Sequence, residues 1–237
     1  NLADVWVENT ASTWDGEIAD SLCSEIAQNW PDPELPLVSC EPRVVVDGLM
    51  FHSEEGDEKL VPAVWHGIDE GRIDKVWMPE HECCSGRLAV ADDEIVLDEH
   101  AASGMGIEVG DIVSIGAGHG SMDFTVVGIG YHPYHLYYAL EGSILPADPG
   151  TFATGYLSDS GIERLANLSA GAANLLLLDV EGTPEFDLQS TEEVEGESLS
   201  QAISYVRQTV MDADDSSFTA YDRSGVQSVE FLRADAE

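Results

Sequence analysis

The chain has 237 residues, in which nine Lys and Arg stand against 46 Asp and Glu, for a formal charge of -37. That balance excludes DNA or RNA binding, because affinity for a phosphate backbone comes largely from Lys and Arg. No run of about 18 apolar residues is present to cross a membrane as a helix, while 43% apolar residues supply a core for one large domain or two small ones.

Self-repulsion of this size works against a compact chain in dilute salt, but at about 1 M salt the screening length falls to roughly 3 Å. The carboxylates run along the whole sequence instead of gathering in ligand-spaced loops. A halophilic, archaeal source is therefore expected in preference to a cation-binding specialisation. The chain opens on Asn1-Leu2-Ala3-Asp4 without a basic leader, which suits a segment excised from a longer protein.

In chain order, the alternation over Asp4 to Glu8 predicts a strand. Asp15 or Thr13 caps a helix over 16–29, with Ile18, Leu22, Ile26 and Trp30 at helical spacing and Pro31-Asp32-Pro33 as its stop. Val44 to Phe51 predicts a second strand, 53–58 an acidic turn, and Leu60 to Ile68 a third strand, making a βαββ unit. Residues 69–85 are irregular.

The stretch 86–130 reads as a compact β-rich unit: a strand at Glu94 to Leu97, a short helix from His100 to Met105 with Asp98 as its cap, a reversal at Gly106 and Gly110, and a hairpin. The hairpin strands are Asp111 to Ile115 and Phe124 to Ile129, joined across Gly116, Gly118 and Gly120. An aromatic segment covers 131–150. Thr151 to Leu157 is then a strand, Ser158 to Leu168 a helix, Asn174 to Val180 an apolar strand, and 181–197 a polar, acidic loop. A helix over Ser198 to Met211 shows Leu199, Ile203, Val206 and Val210 on one face. A closing strand spans Phe218 to Tyr221, with a stalk-like tail from Ser224. Strand-helix-strand thus occurs at 4–51 and again at 174–222.

The order of pieces in 86–130, namely Glu-hydrophobic-Val-Leu-Asp, a small helix, then Gly110-Asp111-Ile112-Val113 and Phe124-Thr125-Val126-Val127-Gly128-Ile129, resembles the extracytoplasmic domain of MacB/FtsX-type ABC transporter permeases. Tyr137-Tyr138, Gly142-Ser143-Ile144-Leu145-Pro146 and, more loosely, Ala3 to Val7 extend the resemblance over most of the chain. It implies an α+β fold, a porter-like body of βαβ units split by an inserted β-rich, Sabre-like subdomain. The expected boundaries are 1–78 and 150–223 for the body, 79–149 for the insertion, and 224–237 for a stalk toward a membrane helix. It further implies a domain on the extracytoplasmic face of the cell membrane that is not an enzyme and carries no cofactor. Its implied partners are a cytoplasmic ABC ATPase, a second permease copy and an extracellular substrate or protein. A free-standing secreted or cell-surface binding module is the rival reading.

Candidate chemistry is sparse. Gly116-Ala117-Gly118-His119-Gly120 precedes a strand, whereas phosphate cradling uses a helix N-terminus. His119, Ser121 and Asp123 sit on a strand whose neighbouring side chains face opposite ways. Asp212, Asp214 and Asp215 lack the glycine and terminal glutamate of an EF-hand. The unusual cluster is Tyr131, His132, Tyr134, His135, Tyr137 and Tyr138. These residues could hold a transition metal, form an aromatic partner-contact surface, or pack as a structural loop over the β-unit. A metal hydrolase built on His119, His132 and His135 is a third function class. Cys23 and Cys40 could close a disulfide; Cys83-Cys84 are vicinal and ill-placed to chelate one tetrahedral ion. Asn167-Leu168-Ser169 is a lone glycosylation sequon.

Overall fold

A computed structural model of the chain describes residues 2–33, 35–54, 57–68, 73–78, 84–135, 138, 145–181, 195–214 and 217–226. The elements run β1 (Val5–Asn9), α1 (Gly16–Gln28), β2 (Leu37–Arg43), β3 (Val45–Glu54), β4 (Asp57–Gly67), β5 (Ser85–Gly86), β6 (Glu94–Asp98), α2 (Glu99–Met105), β7 (Ile112–Gly116) and β8 (Ser121–Gly130). A 3-10 turn at Pro133–His135 follows, then β9 (Ala153–Leu157), α3 (Asp159–Ala166), β10 (Leu175–Val180), α4 (Glu195–Ala213) and β11 (Phe218–Asp222). The chain is α+β, the class that the resemblance implies.

Contacts divide it into two units, one made of 1–43 with 171–237 and the other of 44–170. In the first, the strand order is β11-β1-β10-β2 with every pair antiparallel. Two βαβ segments, β1-α1-β2 and β10-α4-β11, interleave their strands in one sheet, the split βαβ arrangement.

Alternation places Val5, Val7, Leu176, Leu178 and Ala220 on the face that meets the helices, where all are at most 1% exposed. Ala19, Leu22 and Ile26 of α1 and Val206 and Val210 of α4 complete that core. Each fully buried Val, Leu or Ile contributes about 1.5–3 kcal/mol. Asp15, and not Thr13, starts α1, its carboxylate accepting from the Ile18 amide at 2.9 Å. Ile18 itself is 39% exposed, and Ala19 takes the core position that the spacing assigned to it.

The outermost strand pair of this sheet joins the two ends of the chain. β1 and β11 pair from Val5↔Asp222 to Asn9↔Phe218. Just before β1, the Asp4 carboxylate is 1% exposed; its Oδ1 meets Arg223 Nη2 at 2.6 Å and its Oδ2 accepts from the Val180 amide at 2.7 Å. Arg223 also donates through Nε to the Ala3 carbonyl at 3.1 Å. Cys23 of α1 and Cys40 of β2 are joined by a disulfide, with Cα atoms 5.4 Å apart.

The second unit is a barrel. β8, β6, β9, β4, β3 and β7 pair in that order, and an additional β7–β8 pairing closes the ring, with β5 appended to β8. β6 with β8 and β4 with β9 are parallel; the other pairs are antiparallel. Met50, Val61, Trp65, Ile95, Leu97, Ile115, Phe124 and Val126 fill it. Trp65 donates from Nε1 to the Gly116 carbonyl at 3.1 Å, and the bare face of Gly48 makes room for its indole. α2 begins as predicted, with the Asp98 carboxylate accepting from the His100 amide at 3.0 Å, and it ends at Gly106 with φ 67°.

Two expectations differ from this architecture. The strand expected over Val44 to Phe51 is present as β3, beside β4 and β7, but a separate strand, β2, precedes it and pairs with β10, so the expected βαββ unit is divided between two sheets. Accordingly β3, β4, β9 and α3 lie in the barrel unit, whose span of 44–170 is wider than the 79–149 expected for the insertion. Period-2 alternation marks a strand but carries nothing about which sheet it joins. Most of the 181–197 loop and the tail beyond 226 fall outside the described residues, although 195–197 already belong to α4.

Candidate functional site

The polar groups of the barrel unit converge on the outer face of β4, β9 and β6. Strand alternation turns Trp65 into the barrel and His66 out of it. His66 lies opposite Tyr156 of the parallel strand β9, and Tyr156 opposite Val96 of β6. Over this face lie residues 131–135, which end in the 3-10 turn and are anchored by paired backbone hydrogen bonds between Trp77 and Tyr131 at 2.7 and 2.9 Å.

His66 is 6% and His132 1% exposed. The His66 and His135 Nε2 atoms are 3.0 Å apart, so one donates and the other accepts. Thr154 donates its hydroxyl hydrogen to the Val64 carbonyl at 3.0 Å, which turns its oxygen as an acceptor toward His135 Nε2 at 3.4 Å. This assigns the shared hydrogen to His135 and the lone pair to His66. His132 is fixed in the same way: Nε2 is 2.7 Å from the Asp74 carbonyl, which can only accept, while Nδ1 accepts the Tyr134 amide at 3.3 Å. His132 thus carries its hydrogen on Nε2 and is neutral. Its ring stacks on Tyr156 at 5.2 Å and on His66 at 5.7 Å.

Burial, reinforced by the neighbouring His135 and His132, pushes the His66 pKa well below its ordinary value. Burial likewise lowers His135 to about 4, Asp98 opposing and His100 adding to the shift. His135 keeps partial exposure as a residue, but its ring is packed by His66, Thr154 and Phe152.

A carboxylate-centred group adjoins the histidines. Asp98 is fully buried; Tyr156 donates its hydroxyl to Oδ2 at 3.2 Å, and His100 Nδ1 lies 2.9 Å from Oδ1. The Asp98 hydrogen bond raises the His100 pKa, and burial together with Asp98 raises Tyr156 and Tyr138. Tyr138 stacks on His100 at 4.7 Å and donates to the Phe152 carbonyl at 2.8 Å. Tyr131 donates to Glu99 at 3.1 Å, and Tyr134 to the Asp74 carboxylate. His100 is 39% exposed and opens with Glu99, Ser103, Tyr138, Pro146 and Pro149 onto a cleft of about 390 Å³.

The structure therefore brings together Tyr131, His132, Tyr134, His135 and Tyr138 of the aromatic segment; Tyr137 lies outside the described residues. His132 and Tyr138 point inward and are buried, Tyr131, Tyr134 and His135 half-buried. Reasoning from sequence missed His66, Asp74, His100 and Tyr156, and saw Asp98 only as a cap. A histidine at an outward position of an otherwise apolar strand was the one available signal for His66.

Among the described residues no group of three His, Cys, Asp or Glu side chains is placed to hold a metal ion. The reason is geometric: His66 and His132 stack in near-parallel planes, 25° apart, and His132 uses both nitrogens in hydrogen bonds. His119 is exposed in the β7–β8 turn, with Ser121 paired to Gly116 and Asp123 to Ser114 in the hairpin ladder. Asp214 accepts from Trp14 Nε1 at 2.7 Å and Asp212 from Gln208 at 2.8 Å, both structural roles. No helix among the described residues is long and apolar enough to cross a membrane.

No protein-family model matches the chain, and no curated protein matches it in sequence. Among solved structures it is similar to the periplasmic region of MacB from Actinobacillus actinomycetemcomitans, at 11% identity and a TM-score of 0.47, covering 99% of this chain and 92% of that one. It is similar to the extracellular domain of the ABC-type transporter YknZ from Gram-positive bacteria, at 12% identity and a TM-score of 0.49, covering 94% of this chain and 100% of that one. It is also similar to a domain of a protein described as a permease from Porphyromonas gingivalis, at 14% identity and a TM-score of 0.38, covering 98% of this chain and 95% of that one.

Proposed function

We propose that the chain is the extracytoplasmic domain of an ABC-transporter permease subunit of the MacB/FtsX type, from a halophilic microbe. In this reading the split βαβ unit is the porter-like body and the barrel the Sabre-like insertion. The domain contacts an extracellular substrate or protein, and it moves when a separate cytoplasmic ATPase binds and hydrolyses ATP. It performs no catalysis of its own.

The observation that carries the reading is the pairing of β1 with β11, strengthened by the contacts of Arg223 with Asp4 and Ala3. A domain driven by two membrane helices needs its chain ends side by side on one rigid element, so that displacement of either helix is passed into the body instead of being absorbed by a floppy end. The Cys23–Cys40 disulfide suits an oxidising, extracytoplasmic compartment.

The test is purification of the full-length parent, expressed with its neighbouring genes, from detergent-solubilised membranes. An ABC ATPase that copurifies, and whose ATP hydrolysis changes when this domain is deleted, supports the proposal. A parent recovered free in the medium, with no ATPase bound, overturns it in favour of a secreted or cell-surface binding module.

A further inference from the structure

We propose that His66, His132 and His135 form an acid-operated latch, which holds residues 131–135 on the outer face of β4 and β9 near neutral pH and releases them when the imidazoles take up protons. The latch is independent of the transporter reading.

Its basis is the hydrogen-bond chemistry of the three rings. The His66–His135 bond at 3.0 Å requires one N–H and one lone pair; protonating both Nε2 atoms would set two hydrogens head to head. His132 accepts the Tyr134 amide through Nδ1, and a proton on that atom converts the acceptor into a donor and breaks a bond inside the 3-10 turn. Acid therefore removes two of the contacts that fix residues 131–135. Repulsion adds to this, since the ring centroids are 5.2 to 6.3 Å apart and enclosed.

Among the described residues, the charged and titratable groups on the elements that pack here are these, with the exposed Lys75 of the 73–78 arm beside them. From β9 come Tyr156 and the uncharged Thr154, from β6 and α2 Asp98, Glu99 and His100, from the arm at 73–78 Asp74, and from the covering segment Tyr131, Tyr134 and Tyr138. Asp98 accepts from Tyr156, the His100 ring and the His100 amide, Glu99 accepts from Tyr131, and Asp74 from Tyr134. These carboxylates already have donors, and Asp98 only partly offsets the cost of charging His135. The lowered proton affinities of His66 and His135 agree with the geometry. Release would uncover His66, Thr154 and Tyr156 on the barrel face.

The test is hydrogen exchange of backbone amides between pH 7.5 and pH 4.5, corrected for the intrinsic pH dependence of exchange, with the histidine ring signals followed by NMR. Each proton taken up on opening multiplies the opening constant by about ten for every pH unit between the open and closed pKa values. The Tyr131, Tyr134 and His135 amides are thus expected to lose protection by about tenfold or more, while Met50, Ile115 and Val126 in the barrel hold theirs. The His66→Gln/His135→Gln double variant, which keeps polar partners but cannot be charged, should flatten most of that response. Unchanged protection at 131–135 in the wild-type chain overturns the latch. So does a loss shared equally by the barrel amides, or an undiminished response in the variant. If the variant does not fold, the wild-type comparison of segment with barrel decides alone.

Discussion

Arg223→Met tests how firmly the chain ends are joined. Asp4 is 1% exposed, and the Arg223 guanidinium at 2.6 Å is a cation that offsets its charge, while Arg223 itself retains 22% side-chain exposure. Removing one partner of a buried pair costs about 3–5 kcal/mol, because a charge is left behind in a poor solvent. Asp4 retains the Val180 amide at 2.7 Å, and Arg223 is not wholly buried, so the lower end, about 3 kcal/mol, is expected. Asp4→Asn keeps an acceptor for Val180, and combined with Arg223→Met it should recover about 1–2 kcal/mol in a double-mutant cycle. Urea unfolding is the assay, read by the near-ultraviolet signal of Trp6, whose ring stacks on Tyr221 across the β1–β11 pair at 6.0 Å. The loss should persist at about 1 M NaCl, where exposed charges are screened within roughly 3 Å but a buried pair is not. A cost under about 1 kcal/mol, or one that vanishes in salt, would refute the reasoning.

Replacing Gly48 by Ala would place a Cβ 2.1 Å from Trp65 Nε1 and 2.3 Å from the Gly116 carbonyl. The Trp65–Gly116 hydrogen bond should break, the indole emission should shift, and stability should fall by about 1–3 kcal/mol. Opening the Cys23–Cys40 disulfide by paired Ser substitution frees a loop of 17 residues in the unfolded chain. The expected loss is about 3 kcal/mol in urea midpoint terms. The histidines predict opposing pH slopes. His66 and His135 have lowered folded values, so their contribution is present above the unfolded value of 6.5 and is lost as pH falls, for His135 toward about 4. His100 is raised, so its contribution is present below 6.5 and is lost as pH rises through its folded value. Glu94, held at about 2 by the Arg87 hydrogen bond and the Val90 amide, adds a loss between about 4.5 and 2. Calorimetric scans across pH on the wild type, His100→Gln and Glu94→Gln separate the three.

Local chemistry was legible wherever one residue decides one turn. Asp98 caps α2 as read, Ser158, one of two cap candidates at the start of the expected helix beside Asp159, caps α3 by accepting from Gly161 at 3.1 Å, and the glycines at 106, 110, 118 and 120 all adopt positive φ. Helical spacing found the faces of α1 and α4 but misassigned Ile18, because a stripe one residue wide leaves the phase open by about 100° per residue. What the chain order could not carry was sheet membership. β3 and β4 continue an N-terminal βαβ pattern in sequence, yet they pair with β7 and β9. The aromatic segment was visible as an unusual composition; its counterpart was not, since His66, Asp98 and Tyr156 come from three strands far apart in sequence and meet only through register.

The central claim is that this domain stands outside the membrane with both ends entering it together. Topology mapping of the parent protein, with accessibility reporters placed just before Asn1 and just after Glu237, tests it most directly. The account predicts that both junctions are labelled from the extracytoplasmic side and that each is followed within a short distance by a membrane-protected span. One labelled junction with the other at the cytoplasmic side, or a parent with no protected span, would contradict it.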